Sequence, residues 1–338
     1  MQLLGLHHTT HITTDAAANN AFYTQVLGMR RTWKTVNFDD PSVYHLAYGD
    51  RTMSPGANLT FFEHPGVRPD ASGAGSVLSV ALRVATGSDL RWWADRLSEA
   101  YVPAVIDERD GPPSVAFRDP EGLAFKLIAD DRPGAPFVPW PASPVPPARQ
   151  LGGLNSVTIL VADPAPTKAL LIGLLGMREL ARNGRRSTFG LDGGGPGREV
   201  HVVALPHAPA HRLGSGGTHH VAFWAQSLED VDRYADLVRV RGLPTSGVID
   251  RTFFHNLYFR EPGGVLLEVA AAVPGRSPYA TDAEIGNKLV LPEHLEHERG
   301  RIEAALHPLE PRAFPTATVG TAASRPEAPP MGATSSRT

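Results

Sequence analysis

Two hydrophobic periodicities alternate along the chain. Runs of apolar and β-branched residues with period two predict strands, and amphipathic stretches between them predict helices. The first run is Leu6-His7-His8-Thr9-Thr10-His11-Ile12, which leads into a helical stretch ending Leu27-Gly28-Met29-Arg30. A second run, Val77-Leu78-Ser79-Val80-Ala81-Leu82, precedes a helix near 89–101. A third, Leu154-Asn155-Ser156-Val157-Thr158-Ile159, leads into Leu175-Gly176-Met177-Arg178, nearly a literal copy of residues 27–30. The fourth, His219-His220-Val221-Ala222-Phe223, precedes a helix near 228–238. Units two and four both place an Arg-acid-Pro-x-Gly turn (118–122 and 260–264) before their last strand. Such internal similarity is the signature of a repeated supersecondary unit. The pattern reads as an α+β protein of four βαβββ modules forming two domains of cupped mixed sheets.

The punctuation sets the domain organisation. An N-terminal domain of two modules spans 1–130, and a Pro-rich linker spans 131–150, where proline favours extended backbone. A C-terminal domain of two modules spans 151–272. An extension with one short surface helix (292–306) spans 273–310, and 311–338 is too poor in large apolar residues to offset ordering entropy, predicting a disordered tail.

Composition narrows the chemistry. The chain has 338 residues, no cysteine and 14 histidines, so any metal held by side chains rests on His, Asp and Glu. Charged residues are 20% and the net charge is −3, with no basic stripe, which argues against nucleic acid. No signal peptide and no membrane-spanning run stand out, so a cytoplasmic protein that assembles as a homodimer is expected.

Comparing the copies with one another selects particular residues. At one position of the opening strand they carry His8, Ser79, Ser156 and His220. In the last strand, unit four has Glu268 where unit two has Lys126; Thr60 and His201 lie nearby in units one and three without a clean alignment. Residues kept for packing should agree between copies, and these do not. Two imidazoles and one carboxylate make the facial triad of non-haem Fe(II) sites, which leaves coordination positions open and favours a phenolate anion. Glu268 lies in an apolar run and needs a cation or a donor, a need that an arginine salt bridge would also meet. For all three to meet, units one and four must share one sheet, leaving units two and three to form the other. His11, His45, His64, His207 and His211 read as ordinary surface or loop residues.

At these residues the sequence resembles the ring-cleaving dioxygenases of the vicinal oxygen chelate (glyoxalase/bleomycin resistance/dioxygenase) superfamily, in particular the hydroquinone 1,2-dioxygenases. The resemblance covers about 1–310. It rests on Leu6–Thr10, on Lys34–Pro41 with Tyr44-His45-Leu46, on Gly217–Phe223, and on Val248–Arg251 through Tyr258–Gly264. It implies iron ligands at His8, His220 and Glu268, and supporting roles for His7, Thr10, His219, Arg251 and Tyr258. By strand parity Thr10 shares the face of His8, Asn256 joins Tyr258 and Arg260, and His7 and His219 point away unless a bulge re-aims them.

The resemblance implies an Fe(II)-dependent enzyme that opens a hydroquinone-type or other small aromatic diphenol with O₂. Mn(II) suits the same ligands. Two other readings remain on the same scaffold: a metal-dependent glyoxalase-type isomerase or lyase, and a non-catalytic protein that sequesters a small aromatic.

Overall fold

The computed structural model describes residues 2–38, 40–84, 89–108, 112–309 and 313–315. Four modules follow one another. The first holds β1 (Leu3–Thr13), α1 (Ala16–Ala21, continued by a π-helical turn over Phe22–Val26), β2 (Arg30–Val36), β3 (Tyr44–Gly49) and β4 (Asn58–Glu63). The second holds β5 (Ser76–Val84), α2 (Asp89–Glu99), β6 (Ala104–Asp107), β7 (Ser114–Arg118) and β8 (Ala124–Ala129). The third holds β9 (Leu154–Val161), α3 (Pro164–Gly173), β10 (Arg178–Asn183), β11 (Arg186–Gly190) and β12 (Glu199–Ala204). The fourth holds β13 (Thr218–Ala225), α4 (Leu228–Val240), β14 (Thr245–Asp250), β15 (Phe254–Arg260) and β16 (Leu266–Ala272). The helices start where the sequence offers caps: Asp15, Asp163 and Ser227 each accept a backbone N–H of the first turn.

The strands form two eight-stranded sheets, ordered β14-β15-β16-β13-β1-β4-β3-β2 and β10-β11-β12-β9-β5-β8-β7-β6. Each sheet therefore joins one module from either half of the chain. Modules one and four meet through antiparallel β1 and β13, and modules two and three through antiparallel β5 and β9. Within each module the opening strand runs parallel to the last, as β1 does to β4 and β13 to β16. The helices bury their apolar faces against the sheets, with Tyr23, Trp93, Leu171 and Tyr234 almost fully enclosed. Burial of a side chain of this size stabilises by about 1.5–3 kcal/mol.

The repeated turn before each last strand of modules two and four works as a clamp. Asp119 accepts the N–H groups of Glu121 and Leu123 and the Tyr23 hydroxyl, at 3.0, 2.9 and 2.9 Å. Glu261 does the same with Gly263, Val265 and the Thr167 hydroxyl, at 2.8, 2.9 and 2.7 Å. Each turn thus grips a helix of another module. Gly216 (φ +73°) fits beneath the first of these turns, since a Cβ there would lie 2.1 Å from the Glu121 carbonyl oxygen.

Two peripheral segments differ from expectation. The 292–306 stretch forms two short helices, α5 (Glu293–Glu296) and α6 (Arg299–Ala305). They are not simply surface helices, because Leu295 and Ile302 pack with Val36, Leu289 and Leu291 in a small core of their own. The Pro-rich 131–150 segment is docked: Val145 is buried, and Ser143 donates to the Gly28 carbonyl at 2.6 Å. The tail expected to be disordered lies outside the described residues except for 313–315, where Phe314 packs on Phe22 and its N–H donates to Gln25.

Candidate metal centre

Of the three register shifts between β1 and β13, two are bulges in matching places. On β1, Leu6 pairs with Phe223 and His8 with Ala222, leaving His7 as the extra residue. On β13, His220 pairs with Thr10 and Thr218 with His11, leaving His219 as the extra residue. A bulge re-aims side chains locally, and this is the exception that strand parity left open for His7 and His219. Both turn towards the neighbouring histidine: the Nδ1 atoms of His7 and His8 are 2.8 Å apart, and those of His219 and His220 are 2.7 Å apart.

The opposite ring nitrogens converge. His8 Nε2 lies 3.3 Å from His220 Nε2, and Glu268 Oε2 lies 3.3 Å from the first and 2.8 Å from the second. Among the described residues these three form a group whose ligand atoms lie within 4.8 Å of one another. Glu268 is fully buried, and its Oε2 makes no aligned hydrogen bond despite these neighbours. An orphaned, buried carboxylate oxygen facing two imidazole nitrogens is a donor set that fits a divalent cation. No arginine pairs with Glu268 among the described residues, so the salt-bridge alternative does not account for it.

Electrostatics fit the same reading. Burial alone would raise the Glu268 carboxyl, yet the imidazoles of His8 and His220 hold it well below the usual carboxylate range. Burial lowers His220, with Glu268 opposing. It also lowers His7 and His219 to about 3, assisted by their neighbours His8 and His220. Neutral imidazoles and an ionised carboxylate are the forms that bind a metal.

Around this group stand the remaining candidates. Thr10 Oγ1 lies 2.8 Å from His220 Nε2 and 2.7 Å from Thr60 Oγ1, as parity predicts for a shared face. Tyr258 pairs with Glu268 across β15 and β16, and its ring stands edge-on to His220 at 5.1 Å. Burial and the Glu268 charge raise the Tyr258 hydroxyl, so it stays protonated. Arg251 follows β14 next to Thr252, whose left-handed backbone (φ 71°) tightens the hairpin. Its guanidinium lies 5.5 Å over the Phe38 ring, and it has no carboxylate partner among the described residues, so it does not pair with Asp250.

Sequence reasoning gave no role to three residues here. Asn256, fully buried, donates from Nδ2 to Glu268 Oε1 at 3.0 Å and to the Tyr258 hydroxyl at 2.9 Å. Parity had placed it beside Tyr258, and that was its only signal. His45 is not an ordinary surface residue. Its ring packs, tilted by 45°, 4.4 Å from the Phe62 ring, and burial with the nearby His8 and His220 lowers it to about 3. His11, likewise expected at the surface, is fully buried between Thr9 and Thr218.

A profile of the glyoxalase/bleomycin resistance protein/dioxygenase superfamily matches residues 5–127 and 153–269, spanning all four modules. The chain belongs to this superfamily. Among its relatives is a Bacillus subtilis protein named as a ring-cleaving dioxygenase, MhqA, 36% identical over 92% of this chain and 100% of its own length. A protein of Sphingobium indicum named chlorohydroquinone/hydroquinone 1,2-dioxygenase is 28% identical, over 86% of this chain and 92% of its own. A crystal structure of a protein from Bacillus subtilis, described there as a dioxygenase, superposes with a TM-score of 0.84 at 32% identity, covering 92% and 99% of the two chains. Glyoxalase I from Zea mays superposes with a TM-score of 0.60 at 15% identity, covering 79% and 92%, which shows the shared fold.

Proposed function

We propose that the protein is an Fe(II)-dependent ring-cleaving dioxygenase acting on hydroquinone or a related diphenol. The observation that carries this is the convergence of His8 Nε2, His220 Nε2 and the orphaned Glu268 Oε2 at one point of the sheet. Its relatives' names point the same way, because they specify ring cleavage and, in one case, hydroquinone. His8, His220 and Glu268 would hold a ferrous ion, which would supply electron transfer between an ionised phenol and O₂.

The chain's own residues prepare that chemistry. For His8 and His220 to offer Nε2 lone pairs, their protons must sit on Nδ1, from which they donate to Nδ1 of His7 and His219. Such partners fix the tautomer and the ring orientation of metal ligands. Asn256 holds Glu268 by its other oxygen and leaves Oε2 free. The Tyr258 hydroxyl accepts from Asn256 and hydrogen-bonds Glu268, which holds the phenol beside the metal ligands where a substrate oxygen would sit. Arg251 brings a positive charge to the rim, which favours the phenolate form of the substrate. Thr10 offers a hydroxyl beside His220. Manganese suits the same donors, and metal analysis of the isolated protein distinguishes the two.

Cleavage of a hydroquinone ring by a dioxygenase adds both atoms of O₂ to the ring. Mass spectrometry of the product made under ¹⁸O₂ tests this: an acyclic acid-aldehyde carrying both labels is expected. Isomerisation of a thiol adduct without O₂ would favour the glyoxalase-type reading. Tight binding of a diphenol without turnover would favour sequestration.

A further inference from the structure

The repeat places a counterpart of the metal centre in the other sheet. Strand register makes the correspondence explicit. Thr60, Lys126, His201 and Glu268 each sit on a last strand opposite the residue two past His8, Ser79, Ser156 and His220 respectively. The bulges recur too, with Leu78 and Asn155 as the extra residues of β5 and β9. Where the first sheet gathers two histidines, a threonine and a glutamate, the second gathers Ser79, Ser156, His201 and Lys126. That set cannot reproduce the metal site, because an ammonium replaces the carboxylate.

The second cup is nonetheless hollow. A cavity of about 500 Å³ is lined by Lys126, Arg186, His201, Thr188, Asn155 and Ser114 among others. Lys126 makes no ion pair or hydrogen bond among the described residues, although it is half-buried on β8. His201 Nδ1 is 2.9 Å from the Thr188 hydroxyl, and burial with the Arg186 and Lys126 cations lowers it to about 3, so it is an uncharged partner. The two acidic residues of the wall are already engaged: Arg132 pairs with Asp130 at 2.7 Å and with Glu199 at 3.3 Å. Asp130 also accepts from Asn155, and Glu199 from the Gly195 N–H. Ile128 and Leu180 add apolar wall.

We propose that this cavity is a second ligand site that takes a small organic monocarboxylate, its anionic group on Lys126 and its body against Ile128 and Leu180. Lys126, Arg132 and Arg186 against Asp130 and Glu199 leave one formal positive charge in the wall, which a single negative charge matches better than phosphate. The hydroxyl and amide groups of Thr188, Ser114 and Asn155 supply the polar contacts that orient a bound acid.

Calorimetric titration of the full chain tests the proposal with three probes: benzoate, sorbate (an open six-carbon acid) and inorganic phosphate. At least one carboxylate is expected to bind, with affinity lowered tenfold or more by Lys126→Met and kept within a few-fold by Lys126→Arg. His220→Ala, which disables the other sheet's centre, should leave this binding intact. Preference for benzoate marks an aromatic acid as the ligand, and preference for sorbate marks a ring-opened one. The proposal is overturned if neither carboxylate binds, if phosphate binds more tightly, or if His220→Ala abolishes binding. Lys126→Met binding as well as the parent also overturns it. If Lys126→Met fails to fold, the proposal is judged on Lys126→Gln, whose unchanged affinity would overturn it.

Discussion

His8 and His220 occupy equivalent places in modules one and four, 212 residues apart in sequence, with their Nε2 atoms 3.3 Å apart. Each has a preceding histidine, displaced by a bulge, against its Nδ1. The bulges recur in the other sheet with Leu78 and Asn155 as the extra residues, so what marks the metal centre is that both of its extra residues are histidines set against a ligand's Nδ1. Replacing His7 or His219 by alanine should therefore lower iron affinity by roughly 10–100-fold with all three ligands present. Anaerobic competition with a chromogenic Fe(II) chelator measures this. Unchanged affinity in both variants would remove the supporting role assigned to these residues.

Asn256 is the hinge between the carboxylate and the phenol. Asn256→Leu keeps the volume but leaves Glu268 Oε1 and the Tyr258 hydroxyl without this donor. Leaving buried polar groups unpaired costs about 1–3 kcal/mol, more where the group is charged. Chemical denaturation of the metal-free protein should show a loss of at least that size. A variant as stable as the parent would mean that another donor replaces Asn256.

Asp119 gives a pH signature far from the metal. Burial pushes its carboxyl up to about 6 despite the hydrogen bonds from Leu123, Tyr23 and Glu121. The folded form thus holds its proton more tightly than the unfolded chain, whose aspartates titrate near 3.9. The resulting stability is present in full below pH ~4 and is lost as pH rises through about 6. The loss is on the order of 3 kcal/mol for a shift of about two pH units. Asp119→Asn should flatten the stability profile between pH 4 and 7, and a slope equal to the parent's would contradict the assignment.

The α5–α6 extension rests on its own small core. Ile302→Ala removes one of five buried side chains there, a change that costs about 2–5 kcal/mol in well-packed sites. Hydrogen exchange should speed up across 289–306 while β1 and β13 keep their protection. Equal acceleration in the central strands would show that the extension is integral to the main core.

Much of this was legible because the chain contains its own comparison. The Leu-Gly-Met-Arg copies and the paired turns revealed four modules, and the His-to-Ser differences between copies picked out His8 and His220. The pairing of modules one and four followed from requiring those residues to meet Glu268, and the sheet order agrees. What escaped had a local cause. A bulge adds one residue to a strand without leaving a periodicity signal, so parity alone does not say which way His7 and His219 face. His45 lies on a strand covered by an aromatic ring from its neighbour, a burial that alternation along one strand does not register. The docking of the Pro-rich segment depends on Val145 and Ser143 meeting Gly28, a contact between distant parts of the chain.

Oxygen consumption by the anaerobically Fe(II)-loaded protein tests the central claim most directly. Hydroquinone should draw down one O₂ per ring opened, at a rate abolished by His8→Ala, His220→Ala or Glu268→Gln. Protein that holds one iron per chain but consumes no O₂ with hydroquinone, its substituted forms or catechol would contradict the account.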